Sequence, residues 1–241
     1  MPHRFIKMQE AICGICECRI KDNTLFSTLT ESELDALKGV VSMHSYRKKE
    51  IIFMEGDECR GFYVVRTGRV KLVRTAKDGR EQIIKICSPG ELFGLEVFNE
   101  EEHYGNNAIA MEDTDVCFIK KEDFFSVLRK KPTIANKILI ALGRELHQAY
   151  ERIGSLGIMN AREKLASLLH TLATEYGDEC EEGVRLNLTL SRLEIAELLG
   201  ITQETSIRLL KSFKEEGIIK IRRKEIIITS MDRLAEIGGV L

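Results

Sequence analysis

The 241-residue sequence has no tryptophan, three prolines and only 6% aromatic residues, so no protein-wide stacking surface is implied. It contains no apolar run of about 18 residues, so a membrane span is not expected. The stretch from Met1 to Asp22 lacks an apolar core long enough for a signal peptide, which makes the cytoplasm the expected location. The formal net charge is −2, so the whole-chain balance points to no polyanionic partner. The five histidines (His3, His44, His103, His147 and His170) are scattered, with only His44 and His103 in the segment read below as a barrel. With no clustered His/carboxylate set, no Gly-rich phosphate loop and no nucleophile constellation, a cupin-like metalloenzyme or any other enzyme is not expected.

What the chain does have is a 44% hydrophobic content, enough for a packed core, and seven cysteines. A reducing cytosol argues against a disulfide framework. Cys13, Cys16 and Cys18 crowd the N-terminus, and such clustering points to metal or redox chemistry. Cys59, Cys87 and Cys180 show no partner spacing and are read as structural.

Three textures follow one another. Residues 25–40 read as a short helix with a Thr30–Glu33 capping box. From about residue 45 to 120, short β-branched runs (51–53, 61–65, 69–73, 82–86, 108–110 and 115–119) alternate with turns such as Thr67-Gly68 and Ser88-Pro89-Gly90, which argues for an antiparallel barrel or sandwich. Residues 121–131 read as a short helix. A long helix then runs from Pro132 to Leu156, with Ile138, Leu142, Leu146, Ala149, Ile153 and Leu156 forming a narrow apolar seam. From Leu142 the spacing is 4-3-4-3, a coiled-coil signal that favours a partner helix over packing on the chain's own barrel.

Residues 158–241 read as helices followed by short strands. Asn160 and Glu163 cap one helix, and Ser191 and Glu194 a second over Arg192–Leu199. Gly200-Ile201-Thr202 is a turn, and Thr202 caps a third helix over Gln203–Glu216. Strands over 218–221 and 226–229 flank the basic turn Arg222-Arg223-Lys224. Two short helices meeting at a Gly-containing turn match a helix-turn-helix. Ile195, Ala196, Leu199, Ile201, Leu209, Leu210 and Phe213 form its inner face, leaving Gln203, Glu204, Ser206, Ile207, Arg208 and Lys211 outward. Arg208 suits guanine O6 and N7, and Glu204 suits a cytosine amino group. Ser191, Thr202, Thr205 and Lys211 suit phosphates. Between residues 205 and 224 lie seven basic residues and only Glu215 and Glu216, a local excess of +5 hidden in a near-neutral chain.

On these motifs the chain resembles the CRP/FNR family of bacterial regulators over roughly residues 24–238. The likeness rests on Ile52-Phe-Met-Glu-Gly-Asp57, Phe62-Tyr-Val-Val-Arg-Thr-Gly-Arg-Val-Lys71, Asp78-Gly-Arg-Glu81 and Pro89-Gly-Glu-Leu-Phe-Gly94. In the second half it rests on Ile195-Ala196, Leu199-Gly200 and Glu204-Thr-Ser-Ile-Arg-Leu-Leu210. The resemblance implies an α+β fold: a cyclic-nucleotide-binding-type antiparallel β-barrel (double-stranded β-helix), a long dimerisation helix and a C-terminal winged helix-turn-helix. The expected division is a Cys-rich segment 1–24, a sensor barrel 25–131, a dimer helix 132–157 and a DNA-binding domain 158–241. It also implies a homodimer on double-stranded DNA, at a palindromic operator with TGA-like half-sites read by Glu204 and Arg208. RNA polymerase is a further partner if the protein activates. FNR-type members carry Ser where this chain has Ile207, a departure that bears on the outer half-site bases.

The resemblance leaves several signals open. Relatives that bind cAMP hold its ribose with a Glu and its phosphate with Arg-Ser; here Glu91 and Glu96 stand for the former, but Asn106-Asn107 replaces the latter. Burying a phosphate without a cation is costly, so cAMP is not expected. CO-sensing relatives need a Cys or His near residues 94–98, and Gly94-Leu-Glu-Val-Phe98 offers neither, so haem is not expected. A 4Fe–4S cluster on Cys13, Cys16, Cys18 and Cys117 is one reading, because Cys117 stands where oxygen sensors of the FNR type place their distant ligand. The spacing C-x2-C-x-C departs from their C-x2-C-x5-C, and cAMP-binding relatives carry a Cys in place of Cys117 as plain core. A thiol switch at Cys13 and Cys16, or an effector in the barrel, are the other readings. Beside the cupin-like enzyme, an interaction module with a cyclic-nucleotide-type barrel but no DNA binding is the second rival.

Overall fold

The computed structural model describes residues 29–99, 102–223 and 225–239. Thr30 caps α1 (Glu31–Lys38), its backbone N–H donating back to the Glu33 carboxylate at 2.7 Å. Eight strands follow: β1 (Val41–Tyr46), β2 (Ile51–Phe53), β3 (Gly61–Thr67), β4 (Val70–Thr75), β5 (Glu81–Cys87), β6 (Leu92–Phe93), β7 (Asn107–Ala110) and β8 (Thr114–Lys120). They form two four-stranded sheets, ordered β1-β8-β3-β6 and β2-β7-β4-β5, and every recorded pairing is antiparallel. This is the expected barrel, with β1 and β6 added to the six runs read from sequence. The β3–β4 turn needs Gly68: its φ is 74°, and a Cβ there would lie 2.5 Å from Thr114 Oγ1.

Within the barrel, Tyr63 stacks on Phe93 at 5.0 Å between centroids, and Phe53 and Phe118 lie within 5.6 Å of Tyr63. Tyr104 stacks on Phe53 and donates its hydroxyl to Gly61 O at 2.7 Å. Burial pushes the phenols of Tyr63 and Tyr104 far up, so both stay neutral. On the other sheet face Phe62 meets Phe124 edge-on at 4.8 Å. Phe124 belongs to α2 (Lys121–Lys130).

The long helix α3 spans Pro132–Ile158. The seam predicted on it is only partly outward. Ile134 and Ile138 are buried in the barrel core, and Leu142 packs against that core. Ile138 therefore belongs to its own subunit, a correction to the seam. The exposed apolar stripe is instead Leu139, Leu146, Tyr150 and Ile153, spaced 7-4-3 and each more than half exposed. Ala149 is exposed beside it, while the Leu156 side chain lies outside what is described. The shift has a simple cause: a seam read at 3.5 residues per turn drifts around a helix that also faces its own barrel.

The remaining elements are α4 (Ala161–Tyr176), β9 (Gly177–Cys180), β10 (Gly183–Leu186), α5 (Arg192–Leu199), α6 (Gln203–Glu215), β11 (Ile219–Arg222), β12 (Glu225–Ile228) and α7 (Met231–Gly238). The four strands form one sheet, ordered β11-β12-β10-β9. The chain does not end in strands as expected: α7, capped by Ser230, packs on α4, and a Cβ on Gly238 would meet Ser167 N at 2.8 Å. The chain divides into two compact units, one running to Lys77 and over Ile84–Glu145, the other Asp78–Ile83 with Leu146–Leu241. Among the described residues, no helix is long and apolar enough to cross a membrane.

Candidate nucleic-acid interface

The interface is built on α5 and α6. Ser191 starts α5 with a reciprocal capping box: its N–H donates to Glu194 Oε2 at 2.9 Å, and Glu194 N–H donates back to Ser191 Oγ at 3.1 Å. Gly200 stops the helix at φ 65°, where its N–H bonds to Ala196 O. Thr202 then caps α6, accepting from Thr205 N–H at 3.2 Å. The two helices close over Ile195, Ala196, Leu199, Leu210 and Phe213, all buried.

That packing aims one face of α6 outward. Gln203, Glu204, Ile207, Arg208 and Lys211 are all exposed along it. Ser206 is not among them. It is fully buried, its hydroxyl without a hydrogen-bond partner among the described residues, which corrects the expectation that it points outward. Thr205 is half-buried, and the Ser191 and Thr202 hydroxyls are already engaged in capping. Arg222 and Arg223 sit exposed at the tip of the β11–β12 hairpin, Arg223 with φ 54°; Lys224 lies outside the described residues.

Two features escaped the sequence reading. Arg162 in the first turn of α4 donates to Glu216, just beyond α6, and lies 4.8 Å over the Phe213 ring. That pairing, with Ser212 adding a hydrogen bond, lowers the Glu216 carboxyl to about 2. The second is Glu182 in the β9–β10 turn, which binds Lys220 and Arg222 at 2.9 Å each. Neither contact has a local signal, because its partners are 38 to 54 residues apart.

In the barrel, the residues considered for a nucleotide hold the fold instead. Glu91 pairs with the buried Lys85 at 3.3 Å and accepts from Ser88 N–H at 2.7 Å. Glu96 accepts from Gly105 N–H, and Asn107 accepts from Glu55 N–H. Cys117, in β8, is 3% exposed and stands opposite Val64 and Met43. Cys13, Cys16 and Cys18 lie outside the described residues. Among the described residues no group of three or more His, Cys, Asp or Glu is placed to hold a metal.

A barrel followed by a long helix and a winged helix-turn-helix defines a class of DNA-binding regulators. Residues 43–131 match the cyclic nucleotide-binding domain family, and residues 163–237 the Crp-like helix-turn-helix domain. The chain is 34% identical over 218 residues to the regulatory protein HlyX of Actinobacillus pleuropneumoniae, covering 90% of each. It is 32% identical to the anaerobic regulatory protein of Haemophilus influenzae, covering 97% of this chain and 91% of that one. A CooA structure from Carboxydothermus hydrogenoformans superposes with a TM-score of 0.72 at 26% identity, covering 90% of this chain and 96% of that one. The chain belongs to the CRP/FNR family of transcriptional regulators. It is accordingly a DNA-binding regulator that acts as a dimer, not an enzyme.

Proposed function

We propose that the protein is a redox- or oxygen-controlled regulator that places two copies of α6 in successive major grooves of a palindromic operator. The exposed row Glu204, Arg208 and Lys211 on a doubly capped helix is the observation that carries the DNA reading. Arg208 would read guanine and Glu204 cytosine within TGA-like half-sites, with Gln203 at the groove entrance. Thr202, Thr205, Lys211 and the wing residues Arg222, Arg223 and Lys224 would hold phosphates, and Ser191 would add its backbone end of α5. The dimer would form along the stripe Leu139, Leu146, Tyr150 and Ile153, with Leu142 and Ala149 at its margin. Two half-sites one turn apart then require recognition helices about 34–36 Å apart. The division into a 1–24 segment, a 25–131 sensor, a 132–157 dimer helix and a 158–241 DNA-binding domain belongs to the same reading.

For the signal, Cys13, Cys16, Cys18 and Cys117 would hold a 4Fe–4S cluster. The described donor is Cys117, a thiol on the interior strand β8 that is 3% exposed within the apolar barrel core, so ligation would require its cover on the Met43 side to open. Relatives bearing the names anaerobic regulatory protein and fumarate and nitrate reduction regulatory protein support a redox signal. When bound, the group supplies an oxygen-labile link between the N-terminal segment and β8. Glu33, whose carboxylate accepts from Lys137 and Thr133 at the start of α3, would be the contact through which a change before α1 reaches α3. Anaerobic purification with iron and sulfide assays tests this. About four of each per chain, lost in the Cys117→Ser variant, supports the cluster. Iron-free protein directs the signal to a thiol switch at Cys13 and Cys16 or to a barrel effector.

A further inference from the structure

The third sheet brings an acidic turn beside the wing. In the order β11-β12-β10-β9 one strand, β12, separates β11 from β10, and side chains of β11 reach across it to the β9–β10 turn about 40 residues away in sequence. The turn region reads Asp178-Glu179-Cys180-Glu181-Glu182. From it Glu182 Oε1 accepts from Lys220 Nζ and Arg222 Nη2, both at 2.9 Å. Lys220 and Arg222 are two residues apart on β11, so both leave the same face of the strand. Their side chains stay 49% and 63% exposed, and Glu182 29%, so a phosphate can reach either cation.

We propose that Glu182 is an internal phosphate mimic that holds Lys220 and Arg222 of the wing and thereby limits the affinity and salt sensitivity of operator binding. This rests on the reading of the wing as a phosphate-binding element. Exposed ion pairs are weak and screened, so the pair opens when DNA presents a phosphate. When the two cations leave Glu182 they leave one shared carboxylate that gathers at most about one counterion, so the net counterion release is smaller than the cations alone would give. The local excess of +5 counted along residues 205–224, α6 and wing together, therefore overstates the charge this stretch offers to DNA.

The test is operator binding by Glu182→Gln from about 50 to 200 mM salt, the range in which phosphate contacts are resolved by slope. Glu181→Gln removes the same formal charge one residue away and serves as the comparison. Glu182→Gln is expected to bind about three- to tenfold more tightly, with a log K against log salt slope steeper by up to about one per subunit. Glu181→Gln should leave that slope nearly unchanged. An unchanged slope in Glu182→Gln, or equal effects of the two variants, overturns the proposal. A Lys220→Ala/Arg222→Ala variant separates the two readings. If it weakens binding while Glu182→Gln is silent, only the role of Glu182 falls. If it binds like the parent, the wing reading falls and this proposal with it.

Discussion

Arg162 grips Glu216 with both terminal guanidinium nitrogens, Nη1 to Oε1 at 2.8 Å and Nη2 to Oε2 at 2.5 Å. Ser212 donates to the same carboxylate at 2.7 Å. The contact ties the end of α6 to the first turn of α4, three residues after α3 closes at Ile158. The C-terminal end of α6 is thus held against α4. Arg162→Ala should leave the dimer intact, weaken operator binding several-fold and lower the melting temperature of the DNA-binding unit. Arg162→Lys should rescue only part, because an ammonium cannot reproduce a two-pronged contact. Calorimetry with DNA-binding titrations reads both effects.

Glu33 makes the comparable contact at the start of α3. It is 5% exposed, and Lys137 and then Thr133 hold its carboxyl at about 2. A carboxylate whose folded value is depressed contributes stability above the unfolded value of about 4.3, and loses it as pH falls toward the folded value. Urea unfolding between about pH 7 and 2 should show stability falling from about pH 4.5 downward, and Glu33→Gln should flatten that fall. At neutral pH Glu33→Ala should cost about 1–3 kcal/mol by removing the buried carboxylate to which Lys137 and Thr133 donate.

On α6 the exposed row divides by role. Arg208→Ala should cost about 1–3 kcal/mol per half-site and relax discrimination at one guanine. Lys211→Ala should weaken binding evenly across sequences and reduce the salt slope by about one. Binding to operators substituted one base pair at a time distinguishes the two patterns.

Two substitutions on α3 separate the dimer stripe from the barrel contact. Ile153 is 65% exposed, so Ile153→Asp should yield a folded monomer in sedimentation. Ile138 is 6% exposed, so Ile138→Asp buries a charge in the barrel core and should unfold it.

The sequence carried the elements whose information is local. The capping boxes at Thr30, Asn160 and Ser191 were readable because both partners lie three residues apart. The helix-turn-helix was readable because its small residues, Ala196 and Gly200, sit where two helices must approach. β1, with Ser42, His44 and Ser45 interleaved among apolar residues, gave no clear β signal and takes its register from β8. β9 and β10 are four residues each and became strands only through pairing with each other and with β12. Ser206 shows the limit of a helical wheel: a small hydroxyl on the packed side reads as surface until its neighbours are placed. Glu182 shows the same limit for charge, since its cations arrive from another strand pair.

The most direct test is operator binding by the same preparation before and after exposure to air, with a duplex carrying two TGA half-sites one turn apart. The account predicts that anaerobic protein binds as two chains per duplex, that air weakens this binding as the iron is lost, and that Arg208→Ala weakens binding and relaxes discrimination at one guanine of each half-site. Equal binding in both states, with Cys13, Cys16, Cys18 and Cys117 all replaceable by Ser, would contradict the redox account. Absence of any preference for the palindrome would contradict the reading of α6.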